Sequence, residues 1–342
     1  MAHPFAMKEI ALQAGVSLAT VDRVLHQRPG VRPATRRRIE QACEELARQQ
    51  QQVGLQGRRF LIDLVMEAPV RFSRLVRDTL DAVMRRTPPA VFRAREHLAE
   101  TWPVAELVGV LDSIARRGSH GVLLKAPDLP AVHAAVQRLQ AHGIPVITIA
   151  TDLPPALRRA YVGLNNRCAG QTAAYLMGQW LGAQPAEVLV SSSGQRFQGE
   201  EERIAAFAEA LTRSRPDCRI HVLDEGLGLH APTVSAVTRL LLRQPGVAAV
   251  YSVGGANPAI LAAFDRAGRP CRVCIGHDLD ADNLALLRQG RLAAVLHHDL
   301  HHDLGMACQL LLQAHGALPG LLVSTCSKVE VITPFNLPAG LA

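Results

Sequence analysis

Hydrophobic residues follow one rhythm up to about residue 50 and another beyond it. Ile10, Ala11 and Ala14 recur at helical spacing, as do Val21, Val24 and Leu25, and then Ile39, Ala42, Cys43 and Leu46. Three helices are predicted from these stripes. The first two flank a tight turn at Gly15, a residue that accepts positive φ. Ser17 is placed to cap the second helix by accepting a bond from a backbone N–H near Thr20. Leu18, Ala19, Asp22 and Arg23 then face outward. Pro33 and Thr35 suit the start of the third helix, which is expected to end near Gln49 and to expose Arg36 to Arg38 at its beginning, where they are placed to hold phosphates.

From Arg59 short apolar runs alternate with helix-period segments. Phe60–Met66, Gly121–Leu124, Pro145–Ile149, Glu187–Ser192, Val247–Ser252, Arg272–Ile275 and Leu292–Leu296 read as buried parallel strands. Leu129–His142, Cys168–Leu181, Glu201–Thr212, Thr233–Arg243 and Asp282–Gln289 read as amphipathic helices between them. This alternation predicts doubly wound parallel sheets, and so long a series divides better into two sheets than one. Ligands in such folds bind in loops beyond the carboxyl ends of strands. Those loops carry Lys125 and Asp128, Thr151 and Asp152, Asn165 to Arg167, the run Ser191 to Arg203, Gly254 to Asn257, and His277 to Asp280. Polar loops recurring at equivalent strand ends predict a shared cleft.

Composition sharpens this picture at one end of the chain. Of 342 residues, 48% are hydrophobic and only 4% aromatic, so the core must be built from Leu, Val, Ile and Ala. The net charge is +7, and residues 1–59 hold ten Lys and Arg against five acids, leaving the body nearly neutral. A basic head on a neutral body points to a nucleic-acid partner for the head alone. No apolar run approaches the ~20 residues of a membrane span, and no secretory pattern opens the chain, so a cytoplasmic protein is expected. The seven cysteines are scattered and odd in number, which argues against a disulfide framework. Cys271 and Cys274 form a lone C-x-x-C inside a predicted buried strand, without a second pair to complete a metal site. His298 and His302 would share a helix face, but no H-E-x-x-H accompanies them. Neither a phosphate loop nor a nucleophile elbow is present. No catalytic residue, metal or cofactor is therefore assigned.

The run from Ala11 through Ala14-Gly-Val-Ser and Thr20-Val to Arg23-Val-Leu25 resembles the helix-turn-helix signature of the lactose-repressor (LacI/GalR) family. That resemblance implies that Leu18, Ala19 and Arg23 read base edges in the major groove, where Arg suits guanine. It makes Ser17, Thr20 and Arg36 phosphate contacts. Two positions depart from the family pattern. Asp22 stands in place of the usual Ser, and its charge opposes the DNA backbone unless Arg23 or Arg36 offsets it. Arg48-Gln-Gln-Gln-Gln-Val-Gly-Leu-Gln-Gly replaces the family's hinge helix, leaving Leu55 as the candidate minor-groove wedge and a flexible linker as the alternative.

Residues 60–335 resemble the periplasmic-binding-protein-like sensor of the same family. Arg203-Ile-Ala-Ala-Phe is similar to the segment whose Arg grips ligand hydroxyls or carboxylate, and Gly276-His-Asp278 to the one whose Asp holds sugar hydroxyls. Tyr161-Val-Gly with Asn165 and Asn166 resembles a crossover between subdomains. Asn257 is a looser match to a strand-end Asn, and Asp299 lies on a third crossover. Lys125, Asp152 and Phe72 complete the candidate effector contacts. Sugars or polyols lead the list of effectors, while Lys125, Arg167 and Arg203 would equally admit a sugar acid or phosphate.

The expected architecture is a small all-α helix-turn-helix head (1–50), a linker or degenerate hinge (51–58) and an α/β body of two doubly wound parallel-sheet subdomains (59–342). One subdomain takes 59–163 and 297–322, the other 164–296 and 323–342. The expected function is a DNA-binding regulator, most simply a repressor, whose homodimer binds a pseudo-palindromic site under control of a small polar effector. Two alternatives stay open: a body that serves only for dimerisation, and a solute-binding protein.

Overall fold

Helices α1 (Met7–Ala14), α2 (Leu18–Leu25) and α3 (Pro33–Leu55) form the head in the computed structural model. The model describes residues 3–55, 57–86, 90–194 and 196–338, with side chains at 48 and 50–55 left out of the description. Ile10, Ala11, Ala14, Val21, Val24, Ile39 and Ala42 pack into one small core, matching the three predicted stripes. The turn between α1 and α2 works through Gly15, at φ 59° and ψ 44°, whose N–H reaches back to α1 carbonyls. An added Cβ there would sit 2.8 Å from Arg38 Nη2, so glycine meets both the dihedral and the space requirement.

The third helix runs to Leu55 rather than ending at Gln49, so residues 51–55 of the expected linker are helical. The Gln run consists of good helix formers, and the single Gly54 costs only about 1 kcal/mol so near the end. The side chain of Leu55, the candidate wedge, lies outside the described residues.

The body begins with β1 (Arg59–Glu67), α4 (Val70–Arg85), β2 (Val91–Ala99), α5 (Val104–Arg117), β3 (Val122–Lys125), α6 (Pro130–Ala141), β4 (Val146–Ile149) and β5 (Ala160–Leu164). A second unit follows with α7 (Asn166–Trp180), β6 (Glu187–Ser191), α8 (Gln198–Ser214), β7 (Arg219–Leu223), α9 (His230–Arg243), β8 (Val247–Ser252), α10 (Asn257–Arg266), β9 (Val273–His277), α11 (Ala281–Arg288) and β10 (Ala294–His297). Then α12 (Leu300–Ala314) returns to pack on α4 and β5 of the first unit. The chain closes with β11 (Thr325–Ser327) and β12 (Glu330–Ile332). The sheets have orders β11-β5-β4-β3-β1-β2 and β12-β10-β9-β8-β6-β7, parallel throughout except for the antiparallel β12. Residues 325–327 were assigned to the second subdomain from the sequence, but β11 pairs with β5 in the first sheet. The last crossover therefore falls between β11 and β12, in a stretch too short and polar to show a strand pattern.

Both faces of each sheet are buried, as near-continuous apolar strands require. In β1, Ile62, Leu64 and Met66 point to α4 and α12, while Val65 packs with α5 and α6. In the second sheet Leu189, Val250, Cys274 and Val295 face α9 to α11, and Val190, Tyr251, Ile275 and Leu296 face α7 and α8. Strands β2 and β7 were missed because each lies at a sheet edge. Arg93, Arg95 and His97 in β2 break the apolar run, although two of them are tied down. Asp63, fully buried in β1, accepts from Arg95 at 3.0 and 2.7 Å, contacts His97 Nε2 at 3.0 Å, and pairs with Arg117. Burial disfavours that charge, but His97, Arg95 and Ser119 hold its carboxyl far below the ordinary range.

Candidate functional site

The head presents a polar face on α2. Ser17 caps that helix, accepting from Thr20 N–H at 3.3 Å, with its hydroxyl 2.8 Å from that of Thr20. Val21 and Val24 anchor α2 from within, which turns Leu18 (52% exposed), Ala19 and Arg23 outward. Arg36 is half-buried on the first turn of α3. Asp22 is offset, but by different residues than expected: Arg28 Nη1 and His26 Nδ1 each stand 2.9 Å from its carboxylate, and Arg23 stays unpaired with it. Arg38 also departs from the expected phosphate role. Its Nε and Nη2 donate to the carbonyls of Ala14 and Gly15 at 2.8 and 3.0 Å, so it terminates α1 and leaves Arg36 and Arg37 as the cations there that are available to phosphates.

Between the two units of the body lies a cleft enclosing about 660 Å³ of space not filled by protein atoms, part of it open to solvent. Its walls come from strand ends, as the loop pattern required. The first unit contributes Arg71 and Phe72 at the start of α4, Lys125 at the end of β3 and Thr151 after β4. The second contributes Phe197, Glu200 and Arg203 around the start of α8, Gly254 and Gly255 after β8, His277 to Asp280 after β9, and His298 after β10.

Contacts cross this cleft. Arg71 pairs with Asp280 at 3.2 Å and donates to the carbonyls of Gly228 and Gly254 at 3.2 and 3.5 Å. Arg196 meets Glu67 at 3.0 Å, Thr151 Oγ1 accepts from Gly199 N–H at 3.1 Å, and Lys125 Nζ lies 3.8 Å from the centre of the Phe197 ring. Lys125 also donates to the Glu67 carbonyl at 2.9 Å. Such contacts hold the two units together on the ligand side.

Burial sets the charges in the wall. It pushes the Lys125 ammonium down to about 8, against the pull of Glu200 and Glu67. It pushes the Asp280 carboxyl up to about 6, with the Asn283 N–H and Arg71 opposing and Asp278 and Asp282 adding to the push. His277 is held well below its ordinary value by burial first, then by Arg203 and His298. Its Nε2 lies 2.8 Å from the Tyr251 hydroxyl, and its Nδ1 is buried with no partner among the described residues. Arg203 is 7% exposed, and its Nε donates to Asn166 Oδ1 at 2.7 Å. Asp278 has a left-handed backbone, φ 64°, which sends its carboxylate to within 3.7 Å of His298 Nε2. His298 in turn is fixed by Asp303 at 2.5 Å.

Four of the seven effector candidates, Arg203, Asp278, Lys125 and Phe72, line the cleft. The other three do not. Asp152 is saturated by Thr148 Oγ1 at 2.6 Å, Leu153 N–H at 2.9 Å and Arg158 at 2.6 and 2.5 Å. Asn257 is packed behind the wall: it donates to Asn283 Oδ1 at 2.6 Å, and a Cβ on Gly276 would stand 2.5 Å from its Nδ2. Asp299 caps α12, accepting from His302 N–H at 2.9 Å, and faces a separate groove with His301. Arg167 pairs with Glu209 at 3.4 Å outside the cleft. Arg71, Thr151, Phe197, Glu200, His277 and Asp280 are wall residues that were not singled out, although most lay in loops recognised as polar, and His298 was considered with His302 as a metal pair rather than as an effector contact. Arg71 carried no sequence signal at all. His277 was read as part of a strand-end loop, whereas β9 extends two residues past the apolar run to include it.

Comparison with known proteins adds two family matches. The model described as bacterial regulatory proteins, lacI family, matches residues 6–48, and the one described as periplasmic binding protein domain matches residues 94–315. Among solved structures, a solute-binding protein from Burkholderia graminis in complex with D-arabinose aligns with a TM-score of 0.73 at 19% identity, covering 83% of this chain and 98% of its own. GanP, a glucose-galactose binding protein from Geobacillus stearothermophilus, aligns with a TM-score of 0.71 at 19% identity over 82% of this chain and 99% of its own. AraP, an arabinose binding protein from the same organism, gives 0.64 at 20% identity over 82% and 97%. No curated protein sequence matches the chain. At these identities the structural likeness establishes the fold.

Proposed function

The chain belongs to the periplasmic binding protein domain family and carries a DNA-binding head of the bacterial lacI regulatory family, and from that premise we propose a cytoplasmic repressor whose homodimer binds a pseudo-palindromic DNA site under the control of a small sugar-like effector. The observation that carries this reading is the union, in one chain, of an outward-facing capped α2 with a cleft walled by strand ends of two sheets. Ser17, Thr20 and Arg36 would hold phosphates while Leu18, Ala19 and Arg23 read bases. Two such heads would occupy major grooves roughly one helical turn apart.

The effector would be held by Arg203, Asp278, Lys125 and Phe72 together with Arg71, Glu200 and His298. The sugar binding described for the structural relatives supports a sugar, polyol or sugar acid. Neither matched family is a family of enzymes, and among the described residues no helix is long and apolar enough to cross a membrane. The head counts against a transporter's solute-binding protein, and the polar cleft counts against a body that only dimerises.

Selection of bound duplexes from a random library, at about physiological salt, tests the first half. A two-fold symmetric motif is expected, and recovery of no motif would sink the regulator reading. Added to the complex with that motif, an effector should change DNA affinity about 5- to 150-fold, the usual range of such coupling. Arg203→Ala should spare DNA binding without effector and abolish the response. An unchanged response in that variant would remove Arg203 from the site.

A further inference from the structure

The cations of the cleft fall into two sets. Arg71 and Arg196, which bridge the units, are each matched by a carboxylate, Asp280 and Glu67. Arg203 and Lys125 are not. Among the described residues Arg203 has one hydrogen bond, from Nε to Asn166, which leaves both terminal nitrogens of its guanidinium without a partner. Lys125 has the Glu67 carbonyl and the face of Phe197, neither of them an anion in contact. Glu200, the nearest acid in influence on Lys125, is engaged elsewhere: its two oxygens accept from Ser193 N–H at 2.8 Å and Ser193 Oγ at 2.6 Å. A buried guanidinium without a counter-charge is costly, so the pole around Arg203 is built for an anion that the protein does not supply.

His277 extends that pole. Tyr251 is fully buried, and its hydroxyl has one partner among the described residues, His277 Nε2 at 2.8 Å. With the hydroxyl donating to Nε2, the one unmet donor falls on Nδ1 of a residue in the cleft wall, where a ligand can satisfy it. The reverse tautomer strands it on the Tyr251 hydroxyl, which is fully buried and does not line the cleft, so the hydroxyl donates and Nε2 accepts. The ring is kept neutral by its surroundings, so its one proton must then reside on Nδ1. That Nδ1 is buried, has no partner among the described residues, and belongs to a residue of the cleft wall. At this pole Arg203 and His277 both present donors that the described residues leave unmet. Resting on the sensor reading above, we propose that the effector carries an oxyanion, a carboxylate or a phosphate, gripped by the Arg203 guanidinium and the His277 Nδ1–H with Lys125 facing it from the first unit. Asp278 and His298, on the remaining wall, serve the ligand's hydroxyls. His277 is thereby a specificity-determining residue that selects an acceptor over a hydroxyl donor.

The full-length protein would be titrated with D-glucose, D-galactose and D-arabinose, each beside its aldonate and its terminal phosphate, with thermal shift and calorimetry as readouts. At least one acid should bind about tenfold or more tightly than its parent sugar. Response to aldonates alone assigns a carboxylate, and response to phosphates alone a phosphate. A parent sugar that binds as well as its acids overturns the oxyanion and leaves the sugar sensor standing. Silence across the whole panel overturns both. The double variant Tyr251→Phe/His277→Phe, which orphans no hydroxyl, should lower acid affinity about tenfold to a hundredfold, as expected for a charge-assisted hydrogen bond, while changing parent-sugar affinity far less. Nitrogen-15 NMR of the wild type gives a readout independent of any variant's folding. A pyrrole-type Nδ1 at His277 is expected, and a pyridine-type Nδ1 would remove its donor role.

Discussion

The candidate DNA contacts of the head lie between Ser17 and Arg36 and stand mostly at the surface, whereas the cleft draws its wall from positions as far apart as Ala68 and His298 and buries most of its polar groups. The head needs little more than a cap, a glycine turn and apolar stripes at helical spacing to aim its side chains. Water stays on them, and contact with DNA phosphates and bases would displace it. In the cleft the same residue types are dehydrated by the fold itself, and Lys125, Asp280 and His277 leave their ordinary titration ranges as a result. Recognition by local display is written in a short stretch of sequence; recognition by enclosure depends on how distant loops are brought together.

The largest expected effect concerns the body alone. Asp63→Asn should leave Arg95, His97 and Arg117 without their buried counter-charge and destabilise the body by about 3 kcal/mol. Denaturant unfolding would show it. Loss of specific DNA binding at temperatures where this variant is still folded would break the separation between head and body. Next comes a pH effect. An acid whose folded pKa lies above its unfolded value takes up protons on folding, so the stability linked to it falls as pH rises between those values. For Asp280 the window runs from about 4, its ordinary value, to about 6, and the expected change is about 2–3 kcal/mol. Asp280→Asn should flatten that part of the stability profile, and a profile unchanged by the substitution would remove Asp280 as its source. At the head the effects are smaller and differ in kind. Arg23→Ala should cost about 1–3 kcal/mol at one base pair and relax preference there, while Arg36→Ala should weaken all DNA alike and reduce the salt slope by about 1. Equal losses on specific and random duplexes for Arg23→Ala would show that the exposed face does not read bases.

How much of this was legible in the sequence follows from the same contrast. The helical stripes, Gly15 and the Ser17 cap were readable because each acts within a few residues. Asp22 shows where that reading stops, because its charge is met by Arg28 and His26 rather than by the arginines first named. In the body, most buried strands betrayed themselves as apolar runs, although the short buried β5, interrupted by Gly163, was read only as a crossover; the edge strands β2 and β7 did not, since one exposed side admits charge. Arg203 and Asp278 were found from resemblance and line the cleft. Asp152, Asn257 and Asp299 were plausible by the same reasoning, yet Asp152 is taken up by Arg158 and Thr148, Asn257 is packed behind the wall against Asn283, and Asp299 caps α12, all of which only the fold reveals.

By itself, then, the sequence determined the two-part organisation, the helix-turn-helix display, the strand and helix alternation, and the strand-end loops from which a cleft is made. All of these rest on periodicity and on short-range backbone chemistry. The tertiary structure decided which polar side chains were left free. Arg71 crosses the cleft to Asp280, the Tyr251 hydroxyl meets His277 Nε2, and among the described residues the terminal nitrogens of Arg203 have no hydrogen-bond partner. The physical reason is that a hydrogen bond or an ion pair depends on distances of a few ångströms between residues up to hundreds of positions apart, and dehydration makes the outcome matter.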